Sequence, residues 1–125
     1  MTNTKQNNIK RGEEITTKYF AFLDQHIDDV VNGQTNDFLE VNQIAKALNL
    51  SHSHLSDTLQ QETGHHPCHF YDLKILDKAK TLLTNTDLSI AEIAKKLTYD
   101  PSNFGKFFKK FAGQTAGEFR KGNKK

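Results

Sequence analysis

The side chains best suited to bind a charged partner lie near the C-terminus. FGKFFKKFAGQTAGEFRK, residues 104–121, places five of the nine phenylalanines of the chain among lysines. At about 100° per residue, Phe104, Phe107, Phe108 and Phe111 fall on one stripe of a helix. The spacing predicts that these rings face the core and that the opposite, polar side meets a partner. That side carries Ser102, Asn103, Lys106, Lys109 and Lys110.

The distribution of charge along the chain favours an anionic partner for this end. Residues 1–40 carry four basic and seven acidic side chains, whereas residues 90–125 carry nine basic and three acidic ones. The formal net charge of +2 therefore conceals a polarised chain. A polarised chain with a basic C-terminal end indicates an anionic partner there. Charge alone leaves a solvated basic face, with no partner, as the alternative.

A second set of side chains has the chemistry of metal ligands. Imidazole and thiolate suit zinc, and five histidines and the only cysteine lie between positions 52 and 69. They straddle a helix and a turn, however, and the recognised zinc spacings with paired cysteines are absent. We therefore expect no metal and no cofactor, and zinc in an elemental analysis would overturn that expectation. The set is His52, His54, His65, His66, Cys68 and His69.

Composition and motif content exclude several other classes of protein. The chain has no glycine-rich phosphate loop, nucleophile elbow or zinc-protease motif, so we expect no enzyme. No apolar run approaches the roughly 18 residues of a membrane helix, and the polar N-terminus does not resemble a signal peptide. A single cysteine cannot form an internal disulfide. These features fit a small soluble protein of a reducing compartment, most simply the cytoplasm.

A repeat in the sequence shows which elements position the polar side chains. Shifted by 49 residues, residues 41–70 lie over residues 90–119 without a gap. We call these segments the first copy and the second copy. Phe104 and Phe108 of the second copy are matched by leucines in the first. Identical pairs include Ile44 and Ile93, Ala45 and Ala94, Lys46 and Lys95, Leu48 and Leu97, Ser53 and Ser102, Gly64 and Gly113, and Phe70 and Phe119.

Each copy reads as a helix, a short break, a second helix and a glycine. Ser51 and Asp100 lie at matching positions and predict the N-caps of the second helices. Glycine is the preferred residue just after a helix, and the matching pair Gly64 and Gly113 predicts both ends. Thr115 predicts the cap of one further short helix. Two helices joined by a short turn, the second with a polar outer face, are typical of a helix-turn-helix.

The predicted architecture is all-α, with about seven helices in two homeodomain-like helix-turn-helix subdomains joined by a long connecting helix. The first subdomain begins with an amphipathic helix over residues 14–32. The connecting helix has roughly 17 residues and is about 25 Å long. The predicted boundaries are a mobile tail over 1–13, the first subdomain over 14–66, the connecting helix over 67–85, the second subdomain over 86–121 and a basic tail over 122–125.

The second copy matches a known family pattern. Its features are Ile93-Ala94, Tyr99 in the turn, Phe104 followed by Phe108-Lys109-Lys110, Gly113-Gln114-Thr115 and Phe119-Arg120. Together with Glu62-Thr63-Gly64 and Leu88-Ser89-Ile90, these residues resemble the DNA-binding domain of the AraC/XylS family of bacterial transcription regulators. The resemblance covers about residues 15–121. Two residues depart from the family pattern, because Thr98 replaces a glycine in the second turn and Ala116 replaces a proline.

The resemblance implies double-stranded DNA as the partner. In a helix-turn-helix, the second helix enters the major groove. Two copies can read major-groove segments roughly 34 Å apart, so a monomer can bind an asymmetric site. The resemblance also implies a transcription regulator of the bacterial cytoplasm, associated with the nucleoid, with RNA polymerase as a candidate second partner. The alternatives are a DNA-binding fragment of a longer, effector-sensing regulator, and a protein-interaction module that does not bind DNA.

The resemblance further implies which side chains touch DNA. Amide, ammonium and hydroxyl groups suit base edges, whereas lysine and arginine near the end of a helix suit phosphates. The implied base-reading residues are Ser53, Ser56 and Asp57 in the first copy and Ser102, Asn103 and Lys106 in the second. We call the second helix of each copy its recognition helix. His54 and Gln60 share the outer face of the first recognition helix. The implied phosphate contacts are Lys109, Lys110 and Arg120. Because the first recognition helix has no lysine or arginine, we expect the second copy to supply most of the affinity.

Overall fold

The computed structural model describes the backbone of residues 4–123 and the side chains of residues 11–123. Within that part of the chain there are seven helices and no strand, which confirms the predicted all-α fold. No helix among these residues is both long enough and apolar enough to span a membrane. The helices are α1 (Thr4–Val31), α2 (Val41–Ala47), α3 (His52–Thr63), α4 (Pro67–Asn85), α5 (Ile90–Lys96), α6 (Pro101–Ala112) and α7 (Ala116–Asn123).

The ends of the chain are more helical than predicted. Helix α1 begins at Thr4 rather than at residue 14, so residues 4–13 of the predicted tail belong to a helix. Helix α7 runs to Asn123 and includes the first two residues of the predicted basic tail. Residues 1–3 and 124–125 of these two predicted tails lie outside the described residues. The predicted helix start at residue 14 was wrong, because a polar N-terminal segment with few apolar residues gives no periodic signal of a helix.

The chain divides into two compact units, and each contains one copy of the repeat. Unit 1 consists of Met1–Gln25 and Leu39–Tyr71, and unit 2 consists of His26–Phe38 and Asp72–Lys125. Helices α1 and α4 each contribute residues to both units. The predicted connecting helix, residues 67–85, corresponds to α4.

Unit 1 is built around apolar side chains of α1, α2 and α3. Leu23, Ile44, Leu55 and Leu59 are fully buried. The Tyr19 side chain is also fully buried, and its hydroxyl donates a hydrogen bond of 2.9 Å to the Pro67 carbonyl oxygen. This bond satisfies a buried polar group, which would otherwise destabilise the core.

Unit 2 has the corresponding core with larger side chains. Ile93, Leu97, Phe104 and Phe108 are fully buried. The Phe108 ring packs edge-on against the Phe119 ring of α7, with centroids 5.6 Å apart. Such aromatic pairs stabilise a core beyond the effect of the area they bury. The second copy therefore holds its recognition helix through aromatic rings, where the first copy uses leucines.

The turns of the two copies have the same hydrogen bonds. The Leu50 amide donates to the Ala45 carbonyl at 2.9 Å, and the Tyr99 amide donates to the Ala94 carbonyl at 2.8 Å. This six-residue closure marks the end of a helix followed by a left-handed residue. Asn49 has φ 62° and Thr98 has φ 59°. A β-branched residue rarely adopts a positive φ, so Thr98 stores strain at the position where the family pattern has glycine.

Both recognition helices begin and end as the sequence predicts. The Ser51 hydroxyl oxygen accepts from the His54 amide at 3.0 Å, and the Asp100 carboxylate accepts from the Ser102 amide at 3.1 Å. Gly64 and Gly113 follow the helices with φ 82° and 77°. Each helix has twelve residues. The predicted cap at Thr115 is present, and Glu118 completes it by accepting from the Thr115 amide at 2.9 Å.

Candidate nucleic-acid interface

The outer face of α6 consists of exposed polar side chains. Ser102, Asn103, Lys106, Lys109 and Lys110 are all exposed, as the stripe analysis predicts. Phe104 and Phe108, on the opposite side, are fully buried and fix the rotation of the helix about its axis. The helix therefore presents two neutral hydrogen-bonding groups in its first turn and three ammonium groups further along. This arrangement suits a polyanion that also carries hydrogen-bonding edges.

The N-cap of α6 sets the hydrogen-bonding role of Ser102. Its hydroxyl donates to the Asp100 carboxylate at 2.6 Å, and its amide donates to the same oxygen. These bonds lower the pKa of Asp100, so this cap is a carboxylate at neutral pH. Because the hydroxyl proton of Ser102 is used within the helix, its oxygen faces a partner as an acceptor.

The outer face of α3 is polar but has no cation from lysine or arginine. Ser53, His54, Asp57 and Gln60 are exposed, and Ser56 is half-buried. Asp57 lies beside His54 in a shallow cleft that Thr58 and Gln61 also line. Gln60 donates to the Gly64 carbonyl at 3.4 Å, which ties this amide to the end of its own helix. Only the second copy therefore combines exposed hydrogen-bonding groups with a surplus of positive charge on this helix.

Gly105 is a residue of this face that the predictions missed. It is exposed in the interior of α6, at the position that matches Ser56 of the first copy. A methyl group built there would meet no atom within 4 Å, so packing does not require glycine. The missing side chain leaves open space at this point of the helix surface. The register of the repeat was the signal that could have found it.

Comparison with known proteins agrees with this geometry. Residues 44–122, more than half of the chain, match the family described as a helix-turn-helix domain, of the AraC type. The chain belongs to the AraC-type helix-turn-helix family.

Three proteins to which this AraC-type domain is similar are named as regulators or as domains of regulators. The Msm operon regulatory protein of Streptococcus mutans is 33% identical over 110 residues, which cover 87% of this chain and 39% of that protein. The C-terminal domain of AraT, a response regulator from Geobacillus stearothermophilus, has a TM-score of 0.76 and 28% identity, and the match covers 89% of this chain and 87% of that one. The chain spans about two fifths of the length of the Msm protein.

The third is the DNA-binding domain of the global transcriptional factor AdpA, whose structure contains a target DNA. Its TM-score is 0.66 at 17% identity, and the match covers 89% of this chain and 90% of that one. At this identity the similarity shows a shared fold.

Two rings of α6 were predicted to face the core but are only partly buried. Phe107 is half-buried, and 36% of the Phe111 surface is exposed. Phe107 stacks on Tyr99, with ring centroids 5.2 Å apart, and the ring centroids of Phe107 and Phe111 are 5.1 Å apart. The helical wheel places Phe111 correctly on the apolar side of α6. A wheel does not show whether another element reaches that ring and buries it.

Arg120 has a structural task in the AraC-type domain. Its side chain is half-buried, and Nε donates to the Leu83 carbonyl at 3.0 Å while Nη2 donates to the Thr86 carbonyl at 3.2 Å. These carbonyls lie at and just beyond the C-terminal end of α4, where a cation is favourable. The implied contact with a phosphate is untested. Because two of its three nitrogens are already engaged, Arg120 is less suited to that contact than Lys109 and Lys110.

The histidines of unit 1 do not converge on one point. His65 and His69 stack on each other with centroids 4.1 Å apart, and both rings pack edge-on against Phe70. Within residues 11–123, no three histidine, cysteine or acidic side chains are grouped so that they could hold a metal ion. His65 and His69 thus use their imidazole rings for packing.

Proposed function

We propose that this AraC-type domain is the sequence-specific DNA-binding part of a bacterial transcription regulator, with α3 and α6 reading two segments of one duplex. The observation that carries the proposal is the exposed face of α6, whose acceptor, amide and ammonium groups stand opposite two fully buried rings. The AdpA domain, which has the same fold, is known with a target DNA. Two reading helices in one chain support binding as a monomer.

The two classes of contact divide along α6. We propose that Asn103 pairs with an adenine edge, Lys106 with a guanine edge, and the Ser102 oxygen accepts from a base amine. Lys109 and Lys110, in the last turn, contact phosphates, which set the register of the helix on the duplex. Ser53, Ser56 and Asp57, with His54 and Gln60 beside them, form the weaker reading face on α3. RNA polymerase as a second partner stays a prediction.

Selection from a library of random duplexes tests this proposal. At moderate salt, the enriched motif should have two parts, one for each recognition helix. Substituting Asn103 with alanine should erase information in only one part, and substituting Ser53 should affect only the other. Binding should weaken steeply as salt rises, because each neutralised phosphate releases counterions. A protein that enriches no motif, and whose weak binding ignores salt, would be an interaction module rather than a DNA reader.

A further inference from the structure

The first recognition helix can obtain positive charge on its side chains only from histidine. By the 49-residue shift, the three lysines on the outer face of α6 lie over Asp57, Gln60 and Gln61 of α3. The chain has six histidines, of which five lie between positions 52 and 69 and none lies in the second copy. Histidine is the side chain whose charge ordinarily changes between about pH 5 and pH 8. The charge on the outer face of α3 therefore depends on protonation, whereas the charge on α6 does not.

His54 is the histidine best placed to meet a duplex. Its side chain is exposed on α3, and the repeat matches it to Asn103 of α6. Two other histidines of this region, His65 and His69, stack on each other and pack edge-on against Phe70. His54 therefore holds the position that carries the proposed adenine contact in the second copy.

Charged groups of both signs lie around His54. Asp57 lines the same shallow cleft on α3. In a second cleft, between α1 and α3, His54 shares the lining with Arg11 and Glu62. Carboxylates favour a protonated imidazole, whereas a guanidinium group and the N-terminus of a helix disfavour one. The neighbours of His54 thus act in both directions, while the phosphates of a bound duplex all act in favour of the proton.

We propose that His54 couples DNA binding to the uptake of a proton. The protonated imidazole supplies the cation that α3 otherwise lacks, and it donates to an acceptor of the duplex, a phosphate oxygen or a guanine edge. A neutral ring has one N–H donor and a protonated ring has two, and hydrogen bonds from a cation are the stronger ones. Protonation also offsets the negative charge of Asp57 in the same cleft. This inference rests on the proposed function and adds a regulation of the same site.

A second histidine responds to acid with the opposite sign. His26 is buried in unit 2, and this burial lowers its pKa below the ordinary value of 6.5, although Asp29 acts in the other direction. As the pH falls from 6.5 through the lower folded pKa, unit 2 loses stability, because the unfolded chain binds this proton more readily. Acid that acts through His26 therefore weakens binding to every duplex and cannot imitate the proposed gain.

The test compares the intact chain with His54→Gln, which keeps a hydrogen-bonding side chain that cannot take up a proton. The affinity of the parent for the selected duplex should rise about fivefold between about pH 8 and pH 6 at physiological salt, the effect of neutralising one phosphate. Calorimetry in two buffers of different ionisation enthalpy should show proton uptake on binding. His54→Gln should lose both effects. His66→Gln is the matched control, because His66 is exposed but follows the end of α3, and it should keep both.

A short duplex confines the measurement to the second copy. It carries only the part of the selected motif that substitution of Asn103 erases, and the parent and His54→Gln should bind it with the same dependence on pH. Equal pH dependence of the two proteins on the full site would overturn the inference, as would an equal gain in acid on both duplexes. Full-site binding that ignores pH would overturn it and leave the proposed function intact. Failure to bind any duplex at either pH would overturn the proposed function, and this inference with it.

Discussion

The two copies share a backbone and differ in their side chains. Both have the same left-handed turn, a capped recognition helix of twelve residues and a closing glycine. On the outer face, Asp57 of the first copy is matched by Lys106 of the second. In the core, leucines are matched by phenylalanines. The comparison shows that a repeat can keep the geometry that presents a helix while the presented side chains diverge, from no lysine or arginine on α3 to three lysines on α6.

The largest expected effect comes from a substitution in the core of the second copy. Phe108→Ala should lower the free energy of unfolding by about 3–5 kcal/mol, because it removes a fully buried ring. The matching Leu59→Ala should cost about 2–5 kcal/mol. Chemical denaturation measures both. Phe111→Ala is the control on the same helix and should change stability by roughly 0.5 kcal/mol. If Phe108→Ala melts like the parent but loses DNA, the buried ring would be a ligand surface.

Lys106→Ala should sharpen the difference between the two recognition faces. We expect a loss of about 1–3 kcal/mol on the cognate duplex, with relaxed choice at one base pair. Binding of parent and variant to a panel of single-base variants of the site measures both effects. Lys109→Ala is the comparison, because loss of a phosphate contact weakens binding to all sequences alike. A uniform loss for Lys106→Ala would transfer this residue to the phosphate class.

Asp57→Asn tests the matching position of the first copy. If the carboxylate only repels phosphate, the amide should tighten binding to every duplex, by less than about 1 kcal/mol for an exposed and screened charge. We expect this outcome, since acidic contacts to bases are less common than basic ones. Affinities for cognate and scrambled duplexes at two salt concentrations decide the question. Weaker cognate binding with tighter scrambled binding would make Asp57 a reader of cytosine.

Thr98→Gly should stabilise unit 2 slightly. A left-handed conformation costs a residue with a Cβ atom roughly 1–2 kcal/mol, and glycine removes that cost at an entropic penalty of about 0.5–1 kcal/mol. The variant also loses the 3.3 Å hydrogen bond from the Thr98 hydroxyl to Asp37. We therefore expect a gain of less than about 1 kcal/mol in thermal unfolding. Asn49→Gly should change little, because asparagine tolerates this conformation. Equal gains in both copies would mean that Thr98 is not specially strained.

The smallest expected effect is a loss of stability in unit 2 at low pH. Hydrogen bonds at caps lower the pKa of Glu92, Asp100 and Glu118, all in unit 2. Since each folded pKa lies below its ordinary value of 4.5 or 3.8, this stabilisation is complete above those values and is lost as the pH falls through the folded pKa. Hydrogen exchange should show α5, α6 and α7 opening in acid before α3, whose Ser51 cap does not titrate. Simultaneous opening would contradict this assignment.

Much of the fold could be predicted from the sequence because its signals are local. The caps at Ser51, Asp100 and Thr115 and the glycines after both recognition helices depend on residues a few positions apart. The repeat predicted the turn, and the family pattern showed that Thr98 replaces a glycine there, whereas its positive φ is known from the structure. The start of α1 was missed, because its first turns carry almost no apolar stripe.

For the candidate site, the sequence by itself determined which side of α6 is polar and which side is buried, because helical periodicity depends only on spacing along the chain. Only the tertiary structure decided that Phe111 is exposed, that Arg120 supports the end of α4 and that α1 borders clefts beside α3. Each of these features depends on the position of a segment that is distant along the chain. A side chain is buried only where another element reaches it, and the length of that element is set elsewhere in the chain.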